Sequence, residues 1–189
     1  IKMSKTTGYH VRHDLKPIFA YELLMLLRSD EAQTEEELSE VAHAQGFNLR
    51  QRKSYGKLLR SLEELNIVNR NNKHTSLTKK GEIISEATLL QRDLLAELIH
   101  YQYYTLYETN ENLRFSWSYR TVCDHLWMTA PCTINRDRLV NIVIEAATEV
   151  FDETSISFST QSVMGILHWV ESLSPSCLDD DGKTFSRRL

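Results

Sequence analysis

Residues 34–81 constrain this fold more than any other stretch, because helix starts, helix stops and a hairpin signal follow one another there. Thr34 followed by Glu37 is a capping box: the threonine side chain takes the backbone N–H three residues on, and the glutamate returns to the cap. Leu38, Val41 and Ala42 give this helix an apolar stripe, and Gly46 ends it. A second helix is expected over 49–65. Its apolar face is Tyr55, Leu58, Leu59, Leu62 and Leu65, in steps of three and four. Its other face carries Arg50, Arg52, Lys53, Lys57 and Arg60. Residues 67–70 then read as a strand, Asn71, Asn72 and Lys73 as a turn, and 75–78 as the return strand. Upstream, a helix is expected over 17–28, with Pro17 in its first turn and Phe19, Leu23, Leu24, Leu26 and Leu27 inward.

The phrase Leu58-Leu59-Arg60-Ser61-Leu62-Glu63-Glu64-Leu65-Asn66-Ile67-Val68 resembles the recognition helix of a winged helix-turn-helix domain running into its first wing strand. Leu77-Thr78-Lys79-Lys80-Gly81 resembles the exit of the wing into the next helix, a phrase common in bacterial winged-helix regulators. The resemblance covers roughly 15–85, under half of the chain. It implies duplex DNA binding, with the helix from Leu49 in the major groove and Arg50, Arg52, Lys53 and Ser54 near its N-terminal end. Arg52 and Lys53 would meet guanine edges or phosphates. Lys57, Arg60, Arg70, Lys73, Lys79 and Lys80 would touch phosphate. Many winged helices bind only proteins, so the fold alone leaves function open.

Charge sharpens this expectation. The chain of 189 residues has a formal net charge of −4. Residues 50–80 hold nine Lys/Arg against two acids, while 1–49 and 81–189 are net acidic. The positive excess therefore falls on the two elements that would meet phosphates, and acidic flanks would oppose nonspecific coating of nucleic acid.

From 79 to about 107 the sequence reads as one long helix. Ile83, Ala87, Leu90, Leu94, Leu98 and Tyr101 recur in steps of mostly four and three, and Leu95 and Ile99 widen the stripe. Such a helix would be on the order of 40 Å long, too long for one small domain to bury. It would bridge two domains or pair with its copy in a homodimer through 83–108. Tyr101, Tyr103, Tyr104 and Tyr107 are expected in packing or interface contacts, with base stacking as the alternative. The best domain boundary is 109–112.

A shift of 108 residues superposes Ser54 on Ser162, Leu58 and Leu59 on Ile166 and Leu167, Leu62 on Val170, and Leu65 on Leu173. An amphipathic helix over 159–173, a turn at Asp179, Asp180, Asp181 and Gly182, and a return strand over 183–186 follow. Helices over 119–128 and 137–151 precede them. This implies a second winged-helix-like domain over 113–189. Its equivalents of Lys57 and Arg60 are Gly165 and His168, and its wing tip is acidic, so it is unsuited to DNA and suits a protein partner. Trp169 is either core or interface.

Enzyme chemistry, a metal site and a cofactor are not expected. The aspartates before Gly182 lack the alternating ligands and terminal glutamate of a calcium loop. Cys123 and His125 lie two apart on an expected helix, where side chains diverge. No Gly-rich phosphate loop or nucleophile elbow occurs. Cys123, Cys132 and Cys177 are odd in number at unrelated spacings, which points to a reducing, cytoplasmic setting. Neither a signal peptide pattern nor a membrane-length apolar run appears. The chain begins at Ile1, which leaves open that it is a fragment of a longer protein.

The expected architecture is thus mainly α with small β-hairpins: a tail over 1–14, a winged helix over 15–82, a linking helix over 83–108 and a second winged-helix-like domain over 113–189. His10, Arg12 and His13 of the tail could reach a groove; a flexible terminus is the other reading. The leading function is duplex DNA binding, as a transcription regulator or as the DNA-anchoring subunit of a larger bacterial DNA-processing or antiviral defence assembly. The alternative is a scaffold whose winged helices bind partner subunits.

Overall fold

The computed structural model describes residues 8–28, 33–51 and 55–187. It is mainly helical, with two small two-stranded antiparallel sheets. The chain divides into a unit of residues 14–98 and a unit formed by 1–13 together with 99–189. Among the described residues, no helix is long and apolar enough to cross a membrane.

The 14–98 unit runs α1 (Pro17–Leu26), α2 (Glu35–Ala44), a 3-10 turn (Asn48–Gln51), α3 (Gly56–Glu64), β1 (Val68–Asn71), β2 (His74–Leu77) and α4 (Lys79–Leu90). The capping box forms as read: Thr34 N–H donates to Glu37 Oε2 at 2.7 Å, and Glu37 N–H to Thr34 Oγ1 at 3.2 Å. Tyr55, Leu58, Leu59, Leu62 and Leu65 are all buried, as their spacing demands. Asn66 takes a left-handed conformation (φ 57°) just past α3. Ile67 N–H then reaches back to Leu62 O at 2.9 Å, which satisfies a carbonyl of the last turn. Asn72 (φ 56°) turns β1 into β2. Gln33, just before α2, exchanges both backbone hydrogen bonds with Thr75, at 2.8 and 2.7 Å, and so pairs alongside β2.

The phrase that leads into α4 has a steric basis. Thr78 Oγ1 accepts the Gly81 N–H at 3.0 Å and donates to Asn66 O at 2.8 Å. A Cβ on Gly81 would stand 2.1 Å from the Ile67 carbonyl oxygen, so only glycine lets α4 approach the chain leaving α3.

The long helix expected over 79–107 is two helices, α4 and α5 (Leu94–Thr109), with Gln91 extended between them (φ −148°, ψ 108°). Residues 91–93 include no proline or glycine. The tertiary contact at the break is the Arg92 guanidinium, 4.4 Å from the centre of the Tyr21 ring. The buried face of α4 is also rotated by one residue from the expected stripe. Gly81, Ile84, Ser85 and Thr88 are buried, whereas Ile83 and Leu90 are 58 % and 89 % exposed.

The other unit contains α5 from Ile99 on, α6 (Arg114–Thr129), β3 (Cys132–Thr133), α7 (Arg136–Phe151), α8 (Thr160–Glu171) and β4 (Thr184–Phe185). The division therefore falls inside α5 and not at 109–112. Beyond it, α5 is bound to α6: Tyr103 stacks on Tyr119 with centroids 4.9 Å apart, and Ser116 Oγ donates to Tyr103 O at 2.6 Å. The same Ser116 Oγ accepts the Tyr107 N–H at 2.9 Å. Trp169 is fully buried and belongs to the core. β3 pairs antiparallel with β4, a partner the two-residue strand gave no sign of, and Leu178 bridges to Phe185 on the other side. Gly182 (φ 63°) closes the acidic turn between them.

The reading of 1–14 as a tail is corrected for the residues described. Tyr9 is 5 % exposed, lies 6.1 Å from Trp117 and 6.0 Å from Phe151, and donates its OH to Glu153 Oε2 at 2.7 Å. Burial, with the Glu153 carboxylate second, pushes its pKa up to about 12. His10 lies between Ser162 Oγ and Ser157 Oγ, 3.0 Å from each. A Cβ on Gly165 would approach Arg12 O and His13 Cα to 3.1 Å, so this segment lies close over α8 where α8 has no side chain. Aromatic burial and pairing with residues far along the chain leave no periodicity to read. Tyr9→Ala should therefore cost about 3 kcal/mol in urea unfolding; a loose tail would show no change.

Candidate nucleic-acid interface

The sequence-derived site is built from α3, the β1–β2 turn and the start of α4. Lys57 and Arg60, three residues apart on α3, share an exposed face opposite Leu58, Leu59 and Leu62. Lys73 stands exposed at the β1–β2 turn, and Lys79 is exposed in the first turn of α4. None of these four cations has an ion-pair partner among the described residues. Lys80 is half-buried on the same turn as Lys79.

Other site residues stand differently. Arg52, Lys53 and Ser54 lie outside the described residues. Arg50 is not on the helix expected from Leu49, because α3 begins at Gly56. It belongs to the 3-10 turn, and its Nη1 donates to Gly46 O at 2.6 Å, where the cation meets the carbonyl end of α2. Arg70 has its charge divided between Glu35, at 3.7 Å, and Glu63, at 3.8 Å. Its strand position is as expected, but two carboxylates already compensate it.

The late start of α3 has an identifiable cause in Glu22, a residue that no motif or spacing singles out. Its carboxylate is 3 % exposed. Oε1 accepts from Asn48 N–H and Asn48 Nδ2, both at 2.8 Å, and Oε2 accepts from Leu49 N–H at 2.9 Å. A buried carboxylate thus caps the 3-10 turn from α1. Tyr55, just before α3, donates its N–H to Glu35 Oε2 at 3.1 Å and its OH to Leu49 O at 3.2 Å. The only sequence signal was an acid among apolar neighbours on α1.

The dipole of α4 adds to the local field. Its N-terminus carries a partial positive charge, and a cation there costs roughly 0.3–1 kcal/mol. Lys79 is therefore placed against the stability of its own helix, at a terminus that favours an anion.

The helix that the 108-residue shift matches to α3 is of another kind. Ser162, Val163, Gly165, Ile166, Leu167, Trp169 and Val170 of α8 are all buried. Where α3 presents Lys57, α8 presents Gly165 beneath residues 12 and 13. Cys123 is a poor nucleophile, because burial, with Asp124 and Cys177 next, pushes its thiol pKa well up. His125 is lowered by burial, with Arg138 second. Among the described residues, no three His, Cys, Asp or Glu side chains gather to hold a metal.

Glu22→Gln keeps one acceptor and turns an amide toward backbone donors. It should destabilise the chain by about 2 kcal/mol in thermal or urea unfolding; an unchanged midpoint would show that the 3-10 turn does not depend on this carboxylate. Comparison with protein-family models, with curated proteins and with solved structures finds no match for this chain.

Proposed function

We propose that the 14–98 unit is a winged-helix domain that binds duplex DNA, and that the second unit is a winged-helix-like domain turned to another purpose. The observation that carries this reading is the set of exposed cations Lys57, Arg60, Lys73 and Lys79, unpaired among the described residues, on α3, the hairpin turn and the α4 terminus. The order of elements supports it. Each unit runs helix, short strand or bridge, two helices and a closing hairpin, with the first strand paired to the last: Gln33 to Thr75, and Cys132 to Phe185. Within this reading Arg70 orients the hairpin against Glu35 and Glu63 instead of contacting phosphate. The buried α8 supports a division of labour in which only the first unit meets DNA. A regulator and a DNA-anchoring subunit of a larger assembly share this interface.

Lys57→Ala with Arg60→Ala should lower affinity for every duplex and flatten the salt dependence by about two units of slope. Lys79→Glu separates the site from the fold. It should raise the unfolding midpoint of the free protein slightly, because it restores favourable charge at a helix N-terminus, while weakening duplex binding. An affinity that survives both changes would remove this face from any DNA site.

The exposed Ile83, Leu89 and Leu90 on α4 favour a second reading, that of a scaffold which pairs with its own copy or a partner subunit through this helix. Leu94, on the stripe expected for such a seam, is half-buried, so Leu90 is the cleaner probe. Leu90→Glu should leave the fold intact and convert a dimer to a monomer in sedimentation. A wild type that is already monomeric at micromolar concentration would exclude the homodimer.

A further inference from the structure

The unit containing α5 to α8 carries a half-open pocket of about 270 Å³. None of its lining residues belongs to the 14–98 unit, so its chemistry is independent of whether that unit meets DNA. Four rings contribute to its walls: His100 and Tyr104 from α5, Trp127 from α6 and Phe185 from β4. Val170 and Leu173 add aliphatic surface. Trp127 is 43 % exposed, so the aromatic lining reaches solvent. The volume lies just below the ~300 Å³ at which small-molecule pockets begin, which suits one ring or two fused rings.

Against this apolar lining stands a single carboxylate, Asp124. Its Oδ1 accepts a short hydrogen bond from the Tyr104 OH, and its Oδ2 lies 3.5 Å from Arg120 Nε. Burial, with Asp124 next, pushes the Tyr104 phenol up to about 12, so Tyr104 stays a donor and fixes the carboxylate's orientation. A carboxylate has about four lone-pair sites, and these partners leave acceptor capacity on Asp124. Arg120, which also pairs with Glu108 at 2.8 Å, offsets part of its charge, and a neutral N–H or O–H suffices to complete its hydrogen bonding. What complements the site is a flat apolar body with one N–H or O–H. A neutral donor is favoured further by Cys123, whose thiol lines the same cavity in its uncharged form.

We propose that this cavity binds a small neutral aromatic compound of one or two fused rings, which lies among His100, Tyr104, Trp127 and Phe185 and donates a hydrogen bond to Asp124. Nothing covalent is involved: Cys123 serves as wall.

The test uses the full chain with indole and N-methylindole, which share a shape but differ in the N–H donor. Calorimetric titration should show one indole site per chain, with N-methylindole about tenfold weaker, since it cannot donate a hydrogen bond to the carboxylate. Cys177 lines the cavity and Cys132 does not, and both are half-buried. Saturating indole should therefore slow alkylation of Cys177 by iodoacetamide, read by peptide mass mapping, and leave Cys132 unchanged. Leu173→Trp, at a half-buried lining position, should abolish binding; if that variant fails to fold, Tyr104→Phe should weaken indole and leave N-methylindole unaffected. Absence of indole binding at millimolar concentration, or binding that leaves Cys177 unprotected, would overturn the site. Equal affinity for the two compounds would overturn the role of Asp124.

Discussion

The 14–98 unit depends on one buried carboxylate. Removing a carboxylate from water costs several kcal/mol unless donors replace the lost hydration. Glu22 receives three donors, all from Asn48 and Leu49. The chain leaving α2 is thereby tied to α1 before α3 begins. A second carboxylate, Glu35 at the start of α2, takes the Tyr55 N–H at the start of α3 and also pairs with Arg70 on β1. Two acids thus set where α3 begins and how the hairpin lies beside it. The exposed cations inherit their positions from these buried and half-buried anions.

This dependence explains which parts of the fold the sequence disclosed. The capping box at Thr34, the apolar face of α3 and the turn at Asn72 rest on neighbours within four residues, and spacing reveals such interactions directly. The acidic turn closed by Gly182 belongs to the same class. Glu22 meets partners 26 and 27 residues away, and Tyr9 meets Glu153 at a separation of 144. No period carries information over such distances. The break between α4 and α5 is similar: residues 91–93 contain no helix breaker, and Arg92 over Tyr21 is a tertiary contact. Of the candidate site, Lys57, Arg60, Lys73 and Lys79 were legible as exposed cations. The diversion of Arg50 to Gly46 and of Arg70 to two glutamates was not, because a pattern of basic residues does not record which acids lie beside them in space.

The two units use their helices differently. In α3, buried and exposed residues alternate with the helical period, which leaves one face for cations. In α8 that distinction is lost, because residues 8–13 pack in the same unit and Gly165 admits them closely. His10 meets Ser162 and stacks near Phe158, so polar residues at the start of α8 are occupied within the chain. A helix buried in this way cannot enter a groove without first losing that packing, and aromatic truncations of such contacts cost about 3–5 kcal/mol each. Burial of α8, and not net charge alone, therefore restricts the proposed DNA contact to the first unit.

Breaks in local rules without full structural compensation are where function is best sought, and three stand out among the described residues. Lys79 opposes the dipole of its own helix, Ile83 and Leu90 project apolar surface into solvent, and a cavity of about 270 Å³ remains open beside Asp124. Each has a chemical complement of a different kind: an anion for the first, an apolar helix face for the second, a neutral aromatic donor for the third. Other exceptions are compensated inside the fold. Glu22 is buried but has three donors, and Gly81 sits within a helix but admits the Ile67 carbonyl. The distinction lies in whether the chain itself supplies the missing partner. Among the described residues Lys79 has no ion pair, Leu90 is left exposed, and Asp124 keeps acceptor capacity beyond Tyr104 and Arg120, so each of these positions is open to a test in which the partner is added from outside.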